Sequence, residues 1–149
     1  MKNNNIEIAL TSAVVFLGVL VAAVLAPKNE YFFGNFIFYW LPQLIIISLL
    51  LILKYRLAVV SGCAFIMALY LVLYGAWVSS QPKDGLIWLG YVFSIPGAAL
   101  GALAAGYFLK VRIRETTVFI AIAVTSLASA VGVIVNQAAV CSTVMYCGY

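Results

Sequence analysis

The chain has 149 residues, 66% of them hydrophobic and 8% charged, with a formal net charge of +4. A typical soluble domain is about 25% charged, and one of this size buries only about two thirds of its surface. So apolar a chain cannot be a water-soluble or nucleic-acid-binding domain; it calls for a bilayer as solvent.

Five apolar runs follow one another, at about 6–26, 36–53, 57–78, 86–109 and 116–139. A helix needs about 20 apolar residues to cross about 30 Å of hydrocarbon, and each run comes close to that. The runs are continuous rather than alternating, which predicts helices and not strands. The expected fold is an all-α integral membrane protein, a compact bundle of five transmembrane helices forming a single domain over residues 1–149.

The first run follows Lys2 and is longer than the 7–15 apolar residues of a secretory signal, and Pro27 follows it awkwardly for cleavage. It reads as an uncleaved anchor, ended by "APKNE" at Ala26–Glu30. Next comes "EYFFGNFIFYW" (Glu30–Trp40), with seven rings in the ten positions from Tyr31 to Trp40. "KYR" (Lys54–Arg56) is short enough to make the second and third spans a tight antiparallel hairpin, and "SSQPKDG" (Ser79–Gly85) is a turn-rich loop. "KVRIRE" (Lys110–Glu115) separates the last two spans.

With five spans, Lys2, Lys54, Arg56, Lys110, Arg112 and Arg114 share one side, six of the eight basic residues. The positive-inside rule puts that side, with the amino terminus, in the cytoplasm and the carboxyl terminus outside. The expected location is the inner (cytoplasmic) membrane of a cell. Cys141 and Cys147 then fall on the oxidising side, whereas Cys63 lies within the third span as a small packing residue. Six positions apart on one helix is about 9 Å, beyond the reach of a disulfide. A Cys141–Cys147 bond therefore requires the tail to leave the helix and turn back, and Gly148 suits such an ending. The bond is expected.

The aromatic residues are asymmetric. Trp40, Trp77 and Trp88 all belong to the outer side. Interfacial rings normally mark both surfaces, so this skew adds a contact surface to the belt reading, because aromatics dominate interface hot spots. The membrane interior has no histidine and no mid-span charge. That removes the carboxylate of a proton-coupled carrier, the usual ligands of zinc or haem and a histidine-activated nucleophile. No catalytic residue, metal or cofactor is expected.

Small residues form stripes. Gly90, Ser94, Gly97, Gly101 and Ala105 follow spacings of 4, 3, 4 and 4, while Thr125, Ser129, Gly132 and Asn136 follow 4, 3 and 4. Each set shares one helical face, which suits close packing of the fourth span against the fifth. Pro42-Gln43 and Asn136-Gln137 place amides below the outer surface. They either satisfy freed backbone carbonyls or line an outward cleft with Tyr70 and Tyr74.

The expected function is that of a small non-catalytic membrane protein binding a partner in the outer leaflet, of immunity-protein or accessory-subunit type. The partner is another membrane protein or a membrane-active toxin. Tyr39, Trp40, Gln43, Tyr74, Trp77, Trp88 and Asn136 are the expected contact residues, since ring and polar tip together suit a surface half in lipid. The alternative is a protomer of a small transporter or channel for an uncharged substrate, its polar stripes facing one another in a homo-oligomer.

Overall fold

Long runs of Leu, Ile, Val, Ala and Phe leave each segment one way to pair its backbone in an apolar setting, which is within itself. The computed structural model describes residues 2–81, 87–112 and 117–143, and it has five helices and, among those residues, no strand. They are α1 (Lys2–Leu25), α2 (Phe32–Ile52), α3 (Leu57–Ser79), α4 (Ile87–Arg112) and α5 (Val118–Thr143). Each contains a stretch long and apolar enough to cross a membrane.

Helix α1 starts at Lys2 rather than Ile6 and α4 runs on to Arg112 rather than Leu109; two further boundaries differ from the sequence expectation with a hydrogen-bonded cause. Helix α2 starts at Phe32 rather than Phe36, because Asn29 Oδ1 accepts the Tyr31 N–H and the Asn35 amide donates to the Tyr31 carbonyl. Gly34-Asn35 is therefore carried inside the first turns. Helix α5 runs on to Thr143, where the Ser142 and Thr143 hydroxyls both donate to the Ala139 carbonyl and close its last turn.

Helix α3 is the axis of the bundle and touches all four others, whereas α4 and α5 form the most extensive single interface. The contacts fix direction. Glu7 near the start of α1 meets Ala58 at the start of α3, and Gly62 of α3 meets Ile122 and Thr125 of α5. Thus α1, α3 and α5 run parallel, with α2 and α4 opposed to them. The core holds Leu50, Val60, Cys63, Met67, Leu71, Tyr91, Ile95, Ala98 and Ala102, all buried.

The α2–α3 turn closes as a Schellman motif. The Tyr55 N–H donates to the Leu50 carbonyl, the Lys54 N–H donates to the Leu51 carbonyl, and Lys54 takes the left-handed φ of 56° that such a turn requires. At the same end, Glu7 is buried and accepts from Arg56 at 2.6 Å and from the Ala58 N–H at 3.3 Å. A carboxylate from α1 thus caps the positive amino end of α3. Thr11 Oγ1 and Ser61 Oγ, 2.7 Å apart, continue this polar seam by one turn.

Candidate binding site

The aromatic positions separate into two sets. Tyr31, Phe33 and Ile37 point away from the bundle, while Tyr39 is 2% exposed and packs against Trp88 with ring centroids 4.3 Å apart. Tyr74 makes further ring contacts with Tyr70, Trp77, Trp88 and Tyr91, and Tyr70 stacks on Tyr91 at 5.6 Å. One cluster therefore joins α2, α3 and α4 around the carboxyl-terminal half of α3. Its geometry is that of offset and edge contacts, which add stability beyond area alone.

Polar groups thread this cluster. Gln43 is 1% exposed; its amide donates to Tyr91 Oη at 2.9 Å, and Tyr91 Oη donates to the Tyr39 carbonyl at 3.1 Å. Tyr74 Oη donates to the Ile87 carbonyl at 2.5 Å. Two helix-interior prolines, Pro42 and Pro96, are treated alike. A proline interrupts the helical ladder in the turn before it. In each case the carbonyl three residues upstream receives a donor from a neighbouring helix: Tyr39 from Tyr91, and Phe93 from the Asn136 amide at 2.6 Å.

The expected contact residues consequently occupy three different places. Tyr39, Gln43 and Tyr74 are buried: the Gln43 amide and the Tyr74 hydroxyl bond to α4, and the Tyr39 hydroxyl donates to Asn35 Oδ1 of its own helix. Trp88 and Trp77 lie half-buried on the same cluster, while Trp40 lies over Gly18 of α1. Asn136 stands apart and braces α4. An outward cleft uniting Gln43, Asn136, Tyr70 and Tyr74 is not what these contacts build.

The stripe residues converge on the α3, α4 and α5 junction. A Cβ on Gly97 would collide with the Gly132 carbonyl and lie 2.7 Å from Asn136 Cβ, while one on Gly101 would collide with the Ala128 carbonyl. Thr125 sits against Gly62 of α3, and Ser129 against Gly101. Both hydroxyls are buried without a hydrogen-bond partner among the described residues. The Gly90 carbonyl accepts from Ser94 Oγ at 2.7 Å. Cys141 lies in the last turns of α5, and Cys147 lies outside the described residues.

Sequence reasoning passed over the residue that ties these parts to an open surface. Gln137 Oε1 accepts from Tyr70 Oη at 2.6 Å and lies within reach of Ser94 Oγ, so it links α3, α4 and α5. Its amide nitrogen donates to Cys141 Sγ at 3.2 Å, a weak acceptor. Tyr70 of α3 and Val133, Ile134, Gln137, Ala138, Cys141 and Ser142 of α5 border an open groove of about 590 Å³. The available signal was register. Asn136 belongs to the stripe that meets α4, and one residue further is a rotation of about 100°, toward α3. Comparison with known proteins gave no match to a family model, to a curated protein or to a solved structure.

Proposed function

We propose that the chain is a five-span protein of a cell's inner membrane, with a cytoplasmic amino terminus, that binds a partner in the outer leaflet without catalysing a reaction. Its class is that of an immunity protein or an accessory subunit. What carries this reading is the Gln137 groove. A surface facing lipid normally offers no unspent hydrogen-bonding capacity, because polar groups in hydrocarbon are costly. Here, among the described residues, an amide donor has only a sulfur as its acceptor, beside a tyrosine and the apolar walls of Val133, Ile134 and Ala138. A carbonyl or hydroxyl on a partner's helix would replace that sulfur and gain a stronger bond. The buried ring cluster then acts as the rigid wall that holds Tyr70 in place, which limits the ordering cost of binding.

A photoreactive residue at Ile134 or Ala138 should give one discrete crosslinked species in cells, and Gln137→Leu should abolish it at unchanged expression. Position Val24, apolar and exposed on α1, serves as control. The same species from Val24, or none from the groove, would end this proposal.

The orientation rests on the six-to-two division of basic residues. Reporter fusions after Lys54 and Lys110 should score cytoplasmic, and fusions after Lys83 and Tyr149 external. Cys141 and Cys147 should then be recovered as a linked pair from unreduced protein by mass spectrometry. A cytoplasmic carboxyl terminus would refute the arrangement.

A further inference from the structure

At the opposite end of the bundle, Lys54 in the α2–α3 turn and Lys110 in the last turn of α4 border one concavity of about 240 Å³. They come from different hairpins, and the fold brings them together. Tyr55, Arg56, Val59, Gly106 and Leu109 form the rest of its lining. We propose that this pocket binds the phosphate of an anionic phospholipid headgroup.

Four observations support the assignment. First, among the described residues no carboxylate neutralises the two lysines. Among the described residues neither lysine forms an ion pair, and the nearby carboxylate, Glu7, is already engaged by Arg56 at 2.6 Å. Second, Lys54 holds a left-handed backbone conformation, φ 56°, that glycine would adopt without strain. A lysine in that position costs roughly 1–2 kcal/mol of backbone energy, so the turn carries a cation where glycine would fold more easily.

Third, the concavity is built rather than incidental. The Tyr55 ring lies against Gly106, where an added Cβ would stand 2.6 Å from Cδ1 and Cε1. Glycine at 106 admits the ring, and the ring forms one wall. The volume equals that of roughly eight liquid waters at about 30 Å³ each, room for a phosphodiester and part of a glycerol. Fourth, the depth is appropriate. Lys54 follows the apolar stretch Phe32–Ile52 and Lys110 closes Ile87–Val111. This is where headgroups meet a spanning helix, and Val59 and Leu109 give the acyl side of a lipid an apolar contact that a free phosphate ion would not use. The inference thus rests on the five-span reading but not on the Gln137 groove.

The test is native mass spectrometry of the full-length protein in detergent, with phosphatidylglycerol and phosphatidylcholine of identical chains. Phosphatidylglycerol should be retained in preference. Lys54→Gln combined with Lys110→Gln should weaken its apparent affinity roughly 30-fold, since each surface lysine contributes about 1 kcal/mol toward anionic lipid. Lys28→Gln, outside this pocket, should change nothing. If the turn variant unfolds, Lys110→Gln alone should still weaken retention roughly fivefold by the same increment. Equal retention of the two lipids, or parental retention by the double variant, would overturn the proposal. Displacement by inorganic phosphate at millimolar concentration would reassign the site to soluble anions and overturn it as a lipid site. Resistance of the parent to alkaline extraction from membranes tests the spanning reading separately.

Discussion

Gly97→Leu should unfold the bundle more readily than other single substitutions on α4, by about 3 kcal/mol or more. The reason is that the obstruction begins at Cβ. The Gly132 carbonyl occupies the place where a Cβ at Gly97 would go, and a Cβ at Gly132 would in turn meet the Gly97 carbonyl. No rotamer of the new side chain can avoid a collision made by its first atom, so the helices themselves must separate. Overpacking commonly costs about 1–3 kcal/mol when side chains can shift, and here backbone stands on both sides. Gly97→Ala should already be destabilising for the same reason. Leu100, on the same helix but 66% exposed, is the control: Leu100→Ala should stay within about 0.5 kcal/mol. Unfolding followed by tryptophan fluorescence in a denaturing detergent series measures all three. A Gly97→Leu protein with the parent's midpoint would mean that the α4–α5 approach is not as close as described.

The second large effect concerns the ion pair. Arg56→Ala should cost more than Glu7→Gln, although both act on the same ion pair. The Glu7 side chain is 10% exposed and that of Arg56 42%. Taking away the arginine strands a buried carboxylate, the situation that costs about 3–5 kcal/mol in buried pairs. The lower end applies, since the Ala58 N–H remains as a donor. Taking away the carboxylate's charge leaves an arginine that can turn to water, and glutamine still accepts from α3; a loss of about 1 kcal/mol follows. The double variant should recover most of the first loss, giving a coupling energy that is large on a double-mutant cycle. Equal and additive effects would show that the pair is a surface contact with no role in joining α1 to α3.

How far the sequence reached can be judged from particular residues. The five helices were legible because hydrocarbon permits few backbone solutions and length alone then selects spans. The meeting of Gly97 with Gly132 had a readable basis too, since glycine at helical spacing serves close approach and little else in such a helix. Tyr39 and Gln43 were harder. A ring or an amide near an interface has the same composition whether it faces lipid headgroups or a neighbour's carbonyl, and only the pairing of Gln43 with Tyr91, 48 positions away, decides between them. The importance of Gln137 over Asn136 turned on a rotation of one residue. The Glu7–Arg56 bond lay beyond reach because both residues stood close to span ends, where charges are common and need no partner.

That bond has a bearing on how the protein is made. A chain synthesised from its amino terminus delivers Glu7 49 positions ahead of Arg56. At roughly 5–20 residues per second, the carboxylate waits several seconds for its counter-ion. Through that interval α1 also lacks α3, the helix it packs against most extensively. Until α3 is made, α1 therefore has neither the partner for its carboxylate nor its largest packing surface. The order of synthesis thus leaves the acidic start of α1 exposed until the third helix is in place.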